Sequence, residues 1–333
     1  MSQGTNNPFE TARRLAKVYG YKLEVPVVYT QGVALSGRLR LHELETIGTG
    51  PAREIESIVA PRLAEGIAMF GKNGGTANYA GICWADELFS ATGKTEYRDL
   101  VLQIADLFEP PSDGSPVASP LDTDIRVEDF FFAAAVLGRA FKLSGHEQHI
   151  HTLVTFLLAS AETLQPDGLW WHCKASPFCW GRGNAFAALG FAEALTFIPA
   201  DYPGRDELVA THTRHLEGLR KHQDPSGLWR QVVDRPDSYL EHSATSMIGY
   251  ALARGLRKGW LDASWRSIVD AAWAGASDRV GPNCELEHVC VGTGPQPDLA
   301  AYLERPYSDG RDDRGGSMVL WFAVEMARLE RGV

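Results

Sequence analysis

No stretch of this sequence approaches the roughly 20 apolar residues that a membrane span needs. The opening residues, MSQGTNNPFETARRLAKV, also lack the apolar segment of a secretory leader. Both absences predict a soluble, cytoplasmic protein without a membrane partner. Lysine and arginine form no stripe, and a net charge of −10 with a pI near 5.5 argues against a general surface for phosphate backbones, so no nucleic-acid partner is expected. Cysteines number five, an odd count that suits free thiols in a reducing compartment. Cys173 and Cys179, like Cys284 and Cys290, stand wider apart than zinc ligands usually do, and no metal is expected there. Runs that alternate as strands are nearly absent.

What the chain does have is helical periodicity, in 333 residues that are 44% hydrophobic and long enough for one large core. Residues 1–24 read as a tail and a first short helix that Pro26 ends, and residues 25–333 as a single domain. VYTQGVALSGRLRLHELETIG (28–48) places apolar residues at three- and four-residue steps, with small residues such as Gly32 and Gly37 where another helix can approach. AREIESIVAPRLAEGIAMF then reads as the second arm of a hairpin. The unit returns as AGICWADELFSATG with EYRDLVLQIADLF, as EDFFFAAAVLGRAFKLSG with QHIHTLVTFLLASAETL, as GNAFAALGFAEALTFIP with RDELVATHTRHLEGLRKHQ, and as SATSMIGYALARGLRKGWLD with SWRSIVDAAWAGASD. GGSMVLWFAVEMARLER adds a sixth inner helix, with the N-terminal helix as its expected partner. The loops repeat too: QPDGLW (165–170) recurs as QDPSGLW (223–229), each time before an inner helix. These repeats predict an all-α fold, an (α/α)6 barrel of six helical hairpins with a loop-built cleft at one end. Such an architecture names no reaction by itself.

One loop, QPDGLWWHCKASPFCWGRGN (165–184), concentrates the chemistry. Loops run over the surface, so its indoles are expected to line a cleft, with buried loop anchors as the alternative for Trp170 and Trp180. The set suits a sugar ring carrying a carboxylate: Trp171 and Trp180 cover its C–H face, Arg182 pairs with the acid, and His172 and Asn184 read hydroxyls. Asn184 equally suits a helix cap. Trp229 and Gln231 mirror Trp170 and His172 in the second loop. Ser243 is expected to cap the next inner helix, with Glu241 as a further site candidate. VCVGTG (289–294) offers backbone N–H groups to an anion or hydroxyl. His212 and His215 read as surface histidines, and Asp309, Asp312 and Asp313 as an exposed acidic turn whose spacing does not fit a calcium loop.

WGRGNAFAALGFAEAL, then QDPSGLWRQVVDRPDSYLEHSATSMIGYALARGLRKGWLD, then VCVGTG with YLERPYSDGRDDRGGSMVLWFAVEM, resemble in order the signature blocks of the unsaturated rhamnogalacturonyl and glucuronyl hydrolases, glycoside hydrolase families 105 and 88. The resemblance implies an (α/α)6 barrel that removes a 4,5-unsaturated uronic acid from the non-reducing end of lyase-derived oligosaccharides, without metal or organic cofactor. A carboxylic acid protonates C4 of the vinyl ether, water adds at C5, and the hemiketal collapses with loss of the aglycone. The family's acid motif, aromatic-Val/Ile-Asp-Asp/Thr-Leu, matches residues 126–130, RVEDF, and so implies Glu128 and Asp129 as the catalytic pair. From the residues alone, acids opening a helix also answer its dipole. Two close, half-buried carboxyls would push one pKa up, as a general acid requires.

The sequence departs from the family pattern in three places. Glu128 stands where aspartate is usual, and Arg314 stands where a histidine precedes the glycine pair. GGTANYAGICWADEL lacks the family's second aspartate, which leaves Asn78 as the nearest polar candidate for a substrate hydroxyl. Two other readings therefore stay open: a glycosidase or epimerase acting on a saturated uronoside, and a sugar-binding relative without catalysis. The cleft mouth is expected at loops 170–184 and 223–231 with the helix starts at Glu128 and Ser243. The oligomeric state is left open.

Overall fold

Helices form where the apolar period runs, and their order builds two concentric rings. The computed structural model describes residues 7–45 and 50–333. Helix α1 spans Pro8–Leu15, capped by Asn7, whose side chain accepts the Glu10 N–H. Hairpins of an inner and an outer helix follow: α2 (Tyr29–His42) with α3 (Ala52–Glu65), then α4 and α5 (Thr76–Tyr79 and Ala85–Thr92) with α6 (Thr95–Ala105). Next come α7 and α8 (Glu128–Ala133 and Arg139–Ser144, joined by a π-helical turn) with α9 (Glu147–Ala161). The last pairs are α10 (Gly181–Phe197) with α11 (Arg205–Arg220), and α12 (His242–Lys258) with α13 (Arg266–Asp278). After the short α14 (Leu299–Leu303), α15 (Asp313–Arg331) packs between α12 and α2 and closes the ring, with α1 against its outside. The fold is an (α/α)6 barrel.

The expected partnership of the N-terminal helix with the sixth inner helix is present. That first helix stops at Leu15, however, well short of Pro26, because a turn through Gly20 sends Tyr19 into the core, where its hydroxyl donates to Cys284 O at 2.9 Å. The helix expected over 28–48 ends at His42, and its residues 46–48, like the first six of the tail, lie outside the described residues. Two small antiparallel hairpins were not legible: β1 (Trp229–Arg230) with β2 (Leu240–Glu241), and β3 (Leu286–Cys290) with β4 (Tyr307–Gly310).

Small residues set the helix spacing. A Cβ on Gly32 would sit 2.3 Å from Gly81 O, and one on Gly190 would sit 2.5 Å from the Phe130 carbonyl carbon, so α2 and α10 pack backbone to backbone on their neighbours. The repeated Gly-Leu-Trp loops are staples of the same kind. Gly168 and Gly227 adopt φ of +90° and +86°, and each lies against the next outer helix, where a Cβ would meet Arg214 O or Ala271 O. The tryptophan that follows is pinned to the fourth residue of the next inner helix: Trp170 N–H donates to Asn184 Oδ1 at 2.9 Å, and Trp229 N–H to Thr245 Oγ1 at 3.0 Å.

The two ends of the barrel differ. At the C-terminal ends of the inner helices, Glu193 of α10 is buried between Arg40 of α2, Arg139 of α8 and Arg254 of α12, with ion-pair distances of 3.4, 3.2 and 3.2 Å. Arg139 also reaches Asp86 of α5 at 2.9 Å, and Arg254 reaches Glu325 of α15 at 2.8 Å. All six inner helices thus meet in one ionic plug, whose arginines complement the negative helix ends. The N-terminal ends are left open.

Candidate active site

Helix N-termini carry partial positive charge, and here several are gathered around one cavity. The starts of α2, α4, α7, α10 and α15 surround a space of about 670 Å³, together with Gly292 and Thr293. Its aromatic wall comes from Trp180 and from Tyr29, Phe132 and Phe186, which pack edge-on or tilted on one another. Five cations line it, Lys22, Arg126, Arg182, Arg311 and Arg314, against three acids, Glu128, Asp312 and Asp313. The chain as a whole carries −10, so this interior stands out as positive.

Glu128, at the first turn of α7, is 5% exposed and faces the cavity. Its Oε1 lies 3.0 Å from His172 Nε2 and 2.9 Å from Arg126, while Oε2 has no protein partner. Burial alone would raise its pKa, but the charge and hydrogen bond of His172, then those of Arg126, hold it down at about 2. Asp129 behaves oppositely: burial pushes it up to about 6, against the lowering effect of donors from Thr76 Oγ1 (2.6 Å) and Asp122 N–H (2.8 Å). Those donors occupy both of its oxygens, and it is absent from the cavity wall. Of the two adjacent acids, only Glu128 faces the cavity, and at rest it is a carboxylate.

The structure brings Glu128, Trp180 and Arg182 to one cavity, and puts the other sequence candidates around or behind it. Arg182 is 2% exposed, with its two terminal nitrogens donating to Cys290 O (2.5 Å) and Val291 O (2.7 Å). The VCVGTG turn therefore presents two carbonyls to an arginine, while its Gly292 and Thr293 line the cavity. His172 is fully buried behind Glu128 and holds no position on the cavity wall. Trp171 is 39% exposed but lies in a separate crevice beside Ile125 and Lys174.

Four candidates belong to the scaffold, for one physical reason: polar groups that are buried or partly buried must find partners, and theirs are chiefly backbone atoms. Asn184 accepts from Trp170 N–H and donates to Trp170 O and Trp180 O. Asn78 holds the start of α4, accepting the Gly75 N–H and donating to Val27 O. Trp229 is buried with its indole N–H on Leu219 O at 2.7 Å, and Gln231 is buried with its amide on Tyr302 O at 2.9 Å. The loop 223–231 accordingly does not reach the cavity. Glu241, not Ser243, caps α12, accepting from the N–H groups of Ser243, Ala244 and Cys290. His212 and His215, expected on the surface, are buried against Phe191 and Trp170, and burial lowers both pKa values, His212 to about 3.

Sequence reasoning missed Arg126, Tyr29, Phe132, Phe186 and Tyr302. Arg126 was the most accessible to it, standing two residues before Glu128 inside the acid motif. Tyr29, Phe132 and Phe186 lie within the first two turns of inner helices, where they read as core, and Tyr302 lies in the short α14.

Fold and cavity together define an (α/α)6 barrel with a cationic cavity at its open end, and the family it matches makes it a glycoside hydrolase. The chain belongs to glycosyl hydrolase family 88, whose model matches residues 11–330. Among characterised relatives it is similar to the unsaturated rhamnogalacturonyl hydrolase YesR of Bacillus subtilis, 33% identical over 167 residues, which cover 49% of this chain and 44% of that one. It is also similar to an unsaturated 3S-rhamnoglycuronyl hydrolase of Formosa agariphila, 28% identical over 155 residues, covering 45% of this chain and 39% of that one. In each case the matched segment spans less than half of the relative's length. Among solved structures, a possible family 105 member from Salmonella enterica superposes with a TM-score of 0.82 at 19% identity, covering 98% of this chain and 95% of that one. An unsaturated glucuronyl hydrolase from Bacillus sp. GL1 gives 0.68 at 18% identity, covering 98% and 96%. At these identities the superpositions show the fold.

Proposed function

We propose that the protein hydrates the vinyl ether of 4,5-unsaturated uronosides and thereby releases the unsaturated uronic acid from the non-reducing end of an oligosaccharide. The observation that carries this reading is Glu128: a buried carboxyl on the wall of a cationic cavity, with one oxygen free of protein partners. Displacement at C1 would need two carboxyls flanking the bond. The other cavity acids are otherwise engaged, Asp312 capping α15 and Asp313 pairing with Lys22 at 2.7 Å. Hydration at a double bond needs only one group that gives and takes a proton. The excess of cations and the convergent helix N-termini favour an acidic sugar.

Arg126 is the best partner for the uronate. Its side chain is 36% exposed at the cavity, whereas Arg182 is committed to backbone carbonyls. A substrate carboxylate that engages Arg126 weakens the pairing that keeps Glu128 ionised, so binding moves Glu128 toward the acid form that C4 requires. Water then adds at C5, its proton returns to the carboxylate, and the hemiketal opens. The five free, buried cysteines support a cytoplasmic, reducing setting. The test is to follow the ultraviolet band of the conjugated enoate while the protein is incubated with lyase-generated disaccharides and with their saturated counterparts. Loss of the band with no cleavage of the saturated sugar is expected. Cleavage of the saturated sugar, or binding without loss of the band, would reject the proposal.

A further inference from the structure

Glu128 at rest holds no proton, yet hydration consumes one at C4, so the site needs a proton stored within reach of the carboxylate. A line of hydrogen bonds leads away from Glu128 into the protein. His172 Nε2 lies 3.0 Å from Glu128 Oε1, and its Nδ1 lies 2.5 Å from Tyr302 Oη. Tyr302 Oη lies 2.7 Å from Ser176 Oγ, which donates to the Gln296 carbonyl at 2.8 Å. The Gln296 N–H donates back to Tyr302 Oη at 3.2 Å. His172 and Ser176 are fully buried, as is Tyr302, so water does not complete the pattern.

Each of the four contacts in the line requires a proton between its two atoms, since facing lone pairs at these distances repel. Tyr302 and Ser176 contribute one proton each. Burial raises the pKa of the Tyr302 phenol, which therefore keeps its proton. The Gln296 N–H fills a remaining lone pair of the phenol and adds nothing to the line. Two protons must then reside on Glu128 and His172, one more than a carboxylate beside a neutral imidazole carries. The directions follow: Ser176 donates to the carbonyl, Tyr302 to Ser176, His172 Nδ1–H to Tyr302, and Nε2–H to Glu128. With a neutral imidazole beside a carboxylate, one of the four contacts would have no hydrogen, whichever ring nitrogen carries the proton.

We infer that Tyr302 and Ser176 hold His172 as an imidazolium, and that His172 is the proton reserve which recharges Glu128 for the protonation of C4; this rests on the hydration reading of the cavity. The proton passes from Nε2 to the carboxyl, and the carboxylic acid gives it to C4 as the π electrons form the C4–H bond. Water closes on C5 and returns one proton to the Glu128–His172 pair, so the reserve is restored each turnover without another reactant. His172 is a positioning residue here, acting through Glu128. The groups facing its ring are Glu128 with Arg126 beyond it, Tyr302, the Trp180 ring at 4.5 Å, and Arg182, which lies over that same indole. The Cys173 thiol beside it in the loop is pushed up to about 12 and stays neutral.

The experiment is nitrogen NMR of the full chain labelled in histidine, with His172→Gln used to assign the signal. At neutral pH both ring nitrogens of His172 are expected to be protonated. Tyr302→Phe and Ser176→Ala each remove the arrangement that demands the extra proton, so the doubly protonated His172 signal at neutral pH should be lost in both variants, and the alkaline limb of kcat/KM should fall with it. A wild-type ring with one unprotonated nitrogen at neutral pH overturns the inference. So does an activity loss in both variants that is equal at every pH while the His172 ring stays doubly protonated. The NMR state is read without substrate, so enoate loss with a neutral His172 rejects the reserve alone, whereas an imidazolium in a protein that leaves the enoate intact rejects the hydration reading.

Discussion

Glu128 and Asp129 are neighbours in sequence with opposite titration, and the helix explains why. Adjacent residues of a helix point about 100° apart. Glu128 thereby meets His172, Arg126 and the cavity, while Asp129 meets Thr76 and a backbone N–H. Glu128→Gln should lower turnover about 100- to 10,000-fold and leave substrate binding nearly unchanged, as measured by single-turnover kinetics and calorimetry. The same carboxyl makes stability pH-dependent. Its pKa falls from 4.5 to about 2 on folding, so the unfolded chain binds more protons between those values, and stability present above 4.5 is lost as pH drops through that window. Urea midpoints should show the Glu128→Gln variant losing less between pH 5 and 3 than the wild type, by on the order of 3 kcal/mol at most. Arg126→Ala should raise KM about 10- to 100-fold for an unsaturated uronide and little for its methyl ester. Arg182→Ala should harm both substrates alike, because Arg182 holds the turn at Cys290–Val291. Sequence pointed to Glu128 through a short motif. It overestimated Asn78, Asn184, Trp229 and Gln231, since residue type shows that a group seeks a hydrogen bond but not that the backbone already supplies it.

Elements were far more legible than contacts. Each inner helix was visible from its three- and four-residue apolar steps, and observed starts such as Gly181 and His242 fall close to those expected. The repeated Gly-Leu-Trp loops were visible too, but their purpose was not. They suggested a sugar platform, whereas the indoles turn inward and bond to Thr163 Oγ1 and Leu219 O. The strand hairpins escaped because β1 and β2 are only two residues long each, too short to show an alternating pattern. Close packing of α10 on α7 places the helix that carries Glu128, and Gly190 is the contact point. Gly190→Ala should force Phe130 and Phe131 outward, cost about 1–3 kcal/mol in thermal or denaturant unfolding, and reduce kcat by displacing the start of α7. Unchanged activity in a destabilised variant would separate the packing of α7 from the placement of Glu128.

At the scale of the molecule, a closed end and an open end divide stability from chemistry. The plug around Glu193 joins the six inner helices, and its three arginines, Arg40, Arg139 and Arg254, hold that carboxyl far below its usual range against the cost of burial. Glu193→Gln leaves buried arginines without their counter-charge and should cost about 3–5 kcal/mol in denaturant unfolding, while KM measured below the melting range stays near the wild-type value. This network joins residues from all parts of the chain, and no local pattern announces it. At the open end, the helix N-termini converge on the cavity that Glu128 lines, where the proposed hydration takes place. The direct measurement is NMR of the sugar released in heavy water at early times. Hydration through Glu128 predicts one deuterium at C4 and no remaining enoate per aglycone freed, with neither change in Glu128→Gln. Release of the aglycone with the enoate intact and C4 undeuterated would contradict it.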